Sequence, residues 1–289
     1  MNISFYWYAW IAAISSGFMV IMEKLTSKYT ISNPWLFNFL LSFFILLFIL
    51  PLALMNNVGL PHYWNGITLA AFFGSLFGIL YILALYHLDV TVLSPLLSLR
   101  GVFGVILGVV FLGEVLKLNQ IILISIIILG GIFVTIDEKF RLSSFIKPAV
   151  FVVILATLAL ALNGFFINRS ATQITYWELT LWQCVISQLI LLTTIPFFIK
   201  DLKRLNRKQI LTTALIAFIF IGYNLAANKA FTANVGISSV IISFPASMII
   251  AFILSIFAPK LLEKHTLKVY FIRFFAAAIM IFAALKLSG

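Results

Sequence analysis

The sequence predicts an all-α integral membrane protein with ten transmembrane helices, arranged as two inverted five-helix repeats. Hydrophobic residues make up 63% of the chain and charged residues only 9%, whereas a soluble domain carries roughly 25% charged residues. The apolar residues fall into ten stretches of about the 20 residues that a helix needs to cross a bilayer. The first five stretches resemble the last five at an offset of about 146 residues.

The ten stretches are predicted to be helices because they are too long and too continuous for the strands of a membrane barrel. The predicted spans are residues 5–23, 34–55, 66–86, 91–112, 119–136, 149–168, 178–198, 210–230, 236–257 and 268–286. Residues 1–145 are expected to form the first repeat and residues 146–289 the second, and together they make one transport domain.

The repeat is visible at landmarks that recur in the same order in both halves. Ser16-Gly17-Phe18 corresponds to Asn163-Gly164-Phe165, and Pro51 ends the second helix much as Pro196 ends the seventh. After five crossings the chain lies on the opposite side, so the second repeat is inverted with respect to the first. Inverted repeats give many secondary transporters two similar states, each open to one side.

Basic residues are distributed unevenly between the loops on the two sides. Thirteen of the 19 Lys and Arg residues lie in odd-numbered loops, and four lie in even-numbered loops or at the termini. By the positive-inside rule, the odd loops face the cytoplasm and both termini face outward. We therefore expect a multi-pass protein of the inner (cell) membrane, and the net charge of +11 indicates anchoring at lipid headgroups rather than nucleic-acid binding.

The segments outside the spans are short and carry no sign of processing or disulfide chemistry. The start of the chain lacks the basic region and cleavage site of a signal peptide, so the first helix is expected to remain. Cys184 is the one cysteine, which excludes a disulfide within the chain and suits a small buried side chain.

Four motifs of the first half carry a resemblance to a known family. They are Ala84-Leu85-Tyr86-His87, Ser94-Pro95, Phe111-Leu112-Gly113-Glu114 and Leu129-Gly130-Gly131-Ile132. This pattern resembles the EamA domain of the drug/metabolite transporter superfamily, in two tandem copies. The second copy keeps Ala230 and Pro245 but has Pro259-Lys260 where Gly-Glu is expected. The resemblance implies ten helices and transport of small metabolites, often outward, without naming a substrate.

Arg100 is the most informative single residue because it lies in the middle of the predicted fourth helix. A central arginine costs roughly 2.5–3.5 kcal/mol on insertion scales, so it should face a cavity or a partner. Two interpretations stay open. Arg100 pairs with a buried carboxylate or helix-end carbonyls, or it holds a carboxylate or phosphate of the substrate through its planar fork.

Uncharged polar and aromatic residues in the spans complete the candidate substrate site. An asparagine in hydrocarbon must find a hydrogen-bond partner, which is either a neighbouring helix or a polar solute. Following the family resemblance, we expect a chamber between helices 1, 3, 4, 6, 8 and 9. The candidate binding residues are Trp10, Tyr81, Arg100, Asn163, Tyr223, Asn224, Asn228 and Ser243.

The acidic residues are few, and Glu178, Asp89 and Glu114 are expected to be structural. Glu178 begins the seventh helix, Asp89 is a candidate N-cap of the fourth, and Glu23 lies at the end of the first. The small multidrug transporters of the same superfamily carry protons on a glutamate in the middle of helix 1. No glutamate stands there in this sequence, which disfavours proton antiport by that mechanism.

The sequence predicts a transporter and not an enzyme. It carries no phosphate-binding loop, no nucleophile motif and no metal-ligand cluster, so no catalytic residue, cofactor or metal is expected. We expect a secondary transporter of small polar organic solutes, amino acids or related metabolites, working by alternating access, with export favoured over import. The expected partners are a small-molecule substrate and the lipid bilayer, in a monomer or homodimer. The alternative is a membrane enzyme acting on a lipid-linked substrate.

Overall fold

The chain is all-helical wherever the structure describes it. The structure is a computed structural model that describes residues 4–99, 102–103, 106–107, 111, 118–134, 147–171, 173–233, 242, 246–258, 260–262 and 265–288. No strand occurs among these residues, which confirms the all-α part of the predicted fold class. The predicted spans 91–112, 119–136 and 236–257 extend into residues that lie outside the described ones.

Ten helices of at least seven residues occur in the described part of the chain. They are α1 (Ser4–Tyr29), α2 (Pro34–Met55), α3 (Trp64–His87), α4 (Val90–Leu96), α5 (Leu118–Val134), α6 (Pro148–Ala171), α7 (Tyr176–Leu192), α8 (Arg207–Ala233), α9 (Ala246–Phe257) and α10 (Leu267–Ser288). Two 3-10 turns, Leu97–Leu99 and Ile195–Phe197, and one α-helical turn, Ile199–Leu202, are also present.

Five of the described helices are long and apolar enough to cross a membrane. They are Tyr6–Tyr29, Pro34–Met55, Trp64–His87, Pro148–Ile167 and Arg207–Ala227. Two shorter apolar helices, Ile121–Gly130 and Ala246–Phe257, accompany them. The chain is therefore a multi-pass membrane protein.

Helix α1 continues to Tyr29, beyond the predicted end at residue 23. The prediction ended the span at its first charged residues, Glu23 and Lys24. Both side chains are buried, with 2% and 5% of their surface exposed, because each finds a polar partner on α3. The prediction that Glu23 lies at the end of the first helix is therefore wrong.

Prolines influence α2 and α7 differently from the prediction. Pro51 was expected to end the second helix but lies inside α2, which continues to Met55. Leaving the helix within an apolar span would leave further backbone groups unpaired, and that costs more than the one hydrogen bond a proline removes. Helix α7 instead ends at Leu192, before Pro196, where the hydroxyls of Thr193 and Thr194 donate to the preceding helical carbonyls.

The helix packing brings both halves of the chain together. Helix α1 packs against α8 and α9, and α6 packs against α3 and α4. Helix α2 contacts α7 and α8, α7 also contacts α3, and α5 pairs with α10. The largest apolar core includes the fully buried side chains of Phe37, Leu85, Leu93, Leu96 and Phe198.

Candidate solute site along helix α3

One face of α3 is built from small residues and a tyrosine, and polar side chains from four other helices lie against it. Gly74, Gly78 and Tyr81 are spaced i, i+4 and i+7, which places them on one face of a helix. They span seven residues of helix, about 10 Å along the axis. Helices α1, α2, α6 and α7 all contact α3.

Two carboxamides lie against Gly74. A Cβ atom placed on Gly74 would lie 3.0 Å from Asn163 Nδ2, on α6, and 3.2 Å from Gln183 Nε2, on α7. Asn163 is buried, and its Nδ2 donates a hydrogen bond of 2.7 Å to the carbonyl oxygen of Ala70. The absence of a side chain at Gly74 therefore admits two amide groups into the interior of the helix bundle.

A third carboxamide lies one turn further along α3. A Cβ atom on Gly78 would lie 3.1 Å from Asn38 Oδ1. Asn38 belongs to α2, within the apolar sequence Pro34–Met55, and it is buried. The absence of a side chain at Gly78 thus leaves room for the Asn38 carboxamide, just as its absence at Gly74 leaves room for the carboxamides of Asn163 and Gln183.

Tyr81 and Glu23 form the last contact on this face. The Tyr81 hydroxyl donates a hydrogen bond of 2.6 Å to Glu23 Oε2 on α1, and both side chains are buried. The ring of Tyr81 also stacks on Phe77 at 5.4 Å between centroids. An ionisable group this deep in a membrane-spanning helix is by default a candidate for function.

We refer to these residues together as the α3 seam. The α3 seam consists of Gly74, Gly78 and Tyr81 on α3, with Asn163, Gln183, Asn38 and Glu23 facing them. It offers carboxamide donors and acceptors, one carboxyl group and one phenol. These groups suit hydrogen bonding to a polar organic molecule.

Lys24 fixes the end of α3 next to the α3 seam. Its Nζ donates to the carbonyl oxygens of Leu85, at 2.8 Å, and Leu88, at 2.7 Å. These carbonyls belong to the last turn of α3 and its cap, where a cation is favoured by the helix dipole. Lys24 thereby links α1 to the turn between α3 and α4.

A charged cluster joins this turn to the second half of the chain. His265 Nε2 donates to Asp89 Oδ2 at 2.7 Å, and Arg273 Nη1 lies 3.5 Å from the same oxygen. Arg273 is buried and donates a hydrogen bond of 2.6 Å to Thr91 Oγ1. Burial alone would raise the pKa of Asp89, but the hydrogen bond and charge of His265, with the charges of Arg273 and Lys24, lower it.

The predictions made for two other acidic residues, Glu178 and Asp89, had different outcomes. Glu178 and Thr175 form a capping box at the start of α7: Thr175 N donates to Glu178 Oε2 and Glu178 N to Thr175 Oγ1. The structural role predicted for Glu178 is confirmed. Asp89 occupies the N-cap position of α4 without a side-chain capping bond, because its carboxylate is bound to His265 instead.

The predicted binding residues are distributed over several helices. Tyr81 and Asn163 lie on the α3 seam. Trp10 on α1 has 42% of its surface exposed. On α8, Tyr223 is half-buried next to an alanine cluster of α1 and α8, and Asn224 Nδ2 donates to the Phe220 carbonyl at 3.0 Å.

Three predicted binding residues cannot be placed against the α3 seam. Arg100 and Ser243 lie outside the described residues. Asn228 belongs to α8, but its side chain lies outside the described part of the structure. Their membership of the site remains a prediction.

Sequence reasoning missed three residues of the α3 seam. Asn38 and Gln183 were not considered, and Glu23 was assigned to the end of a helix. The sequence did mark these residues, because each is a polar residue within or beside a long apolar stretch. What the sequence did not contain was the identity of the facing helix.

No group of three or more metal-ligating side chains occurs among the described residues.

The fold and the α3 seam together define a helical, multi-pass membrane protein with a polar strip between its helices. Residues 3–136 match the EamA-like transporter family, which confirms the resemblance carried by the motifs of the first half. The family consists of membrane transporters.

Solved structures extend the comparison to the whole chain. Twenty-two chains of solved structures match this fold. One crystal structure matches with a TM-score of 0.56 and 14% sequence identity, over 94% of this chain and 94% of the matched chain. This likeness concerns the fold, and it includes the second half of the chain. No curated protein matches the sequence.

Proposed function

We propose that this protein is a secondary transporter that moves small polar organic solutes, amino acids or related metabolites, across the membrane by alternating access. The observation that carries the proposal is the α3 seam. Carboxamide, carboxyl and phenol groups are costly inside a membrane-spanning bundle. In a transporter, these groups would form hydrogen bonds to a polar solute that passes between the helices.

The helix packing supports two repeats, residues 1–145 and 146–289, as the moving parts. Each helix of the first half has a counterpart five positions later in the second half, so that α1 corresponds to α6 and α5 to α10. When every helix is replaced by its counterpart, the contacting pair α1–α8 becomes α6–α3, and the pair α1–α9 becomes α6–α4. The pairs α2–α7, α4–α9 and α5–α10 convert into themselves, and all of these contacts occur. A two-fold axis between inverted halves would produce this recurrence, and such an arrangement favours alternating access.

The proposed binding residues keep the set derived from the sequence and add those of the α3 seam. Tyr81 and Asn163 belong to both sets. Trp10, Tyr223 and Asn224 would line the side of the chamber formed by α1 and α8, which pack together. Arg100, Asn228 and Ser243 complete the proposed set.

The proposed orientation places both termini outside the cell membrane and the Asp89 cluster on the cytoplasmic side. The supporting observation is the excess of basic residues in the odd-numbered loops. Export is the proposed net direction, as the family resemblance suggests. A monomer or a homodimer would suffice, since both halves of the proposed site come from one chain.

Uptake into proteoliposomes tests the proposal. Purified protein would be reconstituted, and counterflow of radiolabelled amino acids would be compared with that into empty liposomes. We expect saturable uptake of at least one polar amino acid. Gly74→Leu, which fills the α3 seam with a side chain, should abolish this uptake.

The matched control is Gly59→Leu, because a Cβ atom on Gly59 has no described atom within 4 Å. This variant should transport like the wild type. If neither wild type nor Gly59→Leu moves any polar amino acid or related metabolite above the empty-liposome rate, the proposed function is wrong. If Gly74→Leu transports normally, the α3 seam is not the solute site.

A further inference from the structure

The segment between α7 and α8 carries five basic residues within nine positions. Asp201 is the one acidic residue among residues 200–208, so this stretch has a net charge of +4. We refer to the five basic residues as the α7–α8 basic cluster, and all of them are exposed: Lys200, Lys203, Arg204, Arg207 and Lys208.

The charges of the α7–α8 basic cluster are not paired within the described part of the chain. None of the five side chains forms a hydrogen bond or an ion pair with another described residue. The carboxylate of Asp201, which is nearest in sequence, accepts a hydrogen bond of 2.7 Å from Asn33 Nδ2 instead. Like charges so close together repel one another, so a partner of opposite charge would be favourable.

A comparison within the chain indicates that the connection between these helices does not need the charges. In the proposed repeat, the counterpart of the α7–α8 connection is the α2–α3 connection, residues 56–63. That connection contains neither lysine nor arginine. The five cations are therefore a feature of one side of the protein, and they call for an explanation other than the fold.

Apolar side chains locate the α7–α8 basic cluster at the boundary between water and hydrocarbon. Helix α7 ends at Leu192, and the membrane-spanning part of α8 begins at Arg207. Phe197 and Leu211 flank the cations and are 62% and 56% exposed. The ring of Phe197 stacks on Trp35 at 4.9 Å between centroids, and aromatic rings are enriched at the level of the lipid headgroups.

A small polar cavity lies beside the cluster, where the α7–α8 connection meets the start of α2. Its volume is about 70 Å³, which is several times the roughly 10–15 Å³ that one water molecule needs. Two hydrogen bonds between the halves fix its walls: Asn33 Nδ2 donates to the Phe197 carbonyl at 3.1 Å, and Gln209 Nε2 to the Thr30 carbonyl at 3.0 Å. Its polar lining residues are Ser32, Asn33, Asp201, Arg204 and Gln209.

We propose that the α7–α8 basic cluster and this cavity bind the headgroup of an anionic phospholipid. Arg204 belongs to the cluster and also lines the cavity, so it would bind the phosphate group. The other four cations would attract the negative charge of the headgroup. The acyl chains would lie against the exposed side chains of Phe197 and Leu211.

A lipid suits this surface better than a soluble anion because apolar side chains lie next to the cations. The bound headgroup would contact Asn33 in the first half of the chain and Arg204 in the second. It would thus stabilise the contact between the two halves on the side of the odd-numbered loops. No solute takes part in this inference, which therefore does not depend on the proposed transport function.

The test compares two lipids that differ only in the headgroup. The purified protein in a non-ionic detergent would be titrated with dioleoyl phosphatidylglycerol or with dioleoyl phosphatidylcholine, and its melting temperature measured. We expect the anionic lipid to raise the melting temperature by about 2 °C or more above the zwitterionic one. About 0.5 M NaCl should reduce this difference, because salt screens charges on an exposed surface.

Variants of the cluster assign the binding to this place. Arg204→Gln should raise the half-maximal concentration of phosphatidylglycerol about fivefold, the factor expected for one basic residue at an anionic surface. Replacing all five basic residues by glutamine should remove the difference between the two lipids. Lys260→Gln is the matched control, since Lys260 is an exposed cation of another odd-numbered loop, and it should respond like the wild type.

Three results would overturn the inference. Equal stabilisation of the wild type by both lipids would show that the site does not select anionic lipid. A wild-type response of the five-residue variant would place the lipid elsewhere. Full stabilisation by glycerol 1-phosphate at the same concentrations would show that a soluble phosphate is the ligand. Should the five-residue variant fail to fold, Arg204→Gln against Lys260→Gln decides the same question.

Discussion

His265 donates a hydrogen bond of 2.7 Å to Asp89, although the two residues are 176 positions apart. Asp89 lies in the turn between α3 and α4, and His265 precedes α10, so the bond joins the two halves of the chain. Arg273 reinforces the contact from α10. If the halves move against each other during transport, this charged contact lies at the boundary between the moving parts.

The first prediction concerns the dependence of stability on pH. The pKa of Asp89 lies below its ordinary value of 3.8, so the carboxylate stabilises the fold fully above that value. The contribution is lost as pH falls through the lower pKa of the folded state. We expect Asp89→Asn to melt at a lower temperature than the wild type at pH 7. The gap should narrow below about pH 3.8.

Asp201→Asn is the control for this experiment. Asp201 accepts a hydrogen bond of 2.7 Å from Asn33 in an exposed contact, which is worth little in water. Its melting temperature should stay close to that of the wild type at neutral pH. A gap for Asp89→Asn that stays constant from pH 7 to pH 3 would contradict the role given to the carboxylate.

The second prediction separates function from stability at Tyr81. Tyr81→Phe removes the hydroxyl that donates to Glu23, and it should cost about 1–3 kcal/mol of stability and most of the uptake. Tyr86→Phe is the matched control, because the Tyr86 hydroxyl donates to a backbone carbonyl, that of Ile31. It should lose stability but keep uptake. Equal uptake by both variants would argue against a solute role for Tyr81.

A third prediction compares two helical glycines. A Cβ atom on Gly17 would lie 2.7 Å from Ala246 Cβ and 2.9 Å from the backbone nitrogen of Ser247, and backbone cannot easily move aside. Gly17→Ala should therefore separate α1 from α9 and lower the melting temperature. A Cβ atom on Gly164 has no described atom within 4 Å. Gly164→Ala should stabilise α6 by about 0.5–1 kcal/mol.

The fourth prediction tests the orientation in the membrane. In a Cys184→Ala background, a cysteine replacing Ser32 after α1 should react with an impermeant maleimide only from the cytoplasmic side. A cysteine replacing Asn57 after α2 should react only from outside. The reverse pattern would show that the charge bias between the loops does not set the topology.

The fifth prediction concerns Arg100. If its guanidinium holds an anionic group of the solute, Arg100→Lys should weaken transport, because a two-pronged contact becomes a point charge. Arg100→Ala should abolish binding of carboxylate-bearing solutes with the melting temperature preserved. Unfolding of Arg100→Ala without rescue by any solute would identify a structural pair instead.

Much of the fold could be predicted from the sequence because hydrocarbon permits few backbone arrangements. The lengths of the apolar stretches predicted the ends of α2 and α3 to within two residues of where the structure has them. The end of α1 was missed because a length and hydropathy argument stops at the first charges. Glu23 and Lys24 remain in the helix through partners on α3, and such distant pairs do not show in local composition.

The candidate site was less predictable for a related reason. Tyr81 could be assigned to a small-residue face of α3 by helical spacing, and Asn163 by its polarity. Asn38 and Gln183 matter only because two glycines of α3 face them. Which helix a given face meets depends on the packing of all the helices, and spacing along one chain segment does not determine it.

The partners of Glu23 and Lys24 also bear on the order in which the protein is made. Tyr81 follows Glu23 by 58 residues, and the Leu85 carbonyl follows Lys24 by 61. Until α3 has been synthesised, neither charged side chain of α1 can have the partner that it has in the folded protein. These two contacts of the first helix therefore form only after the third helix has been made.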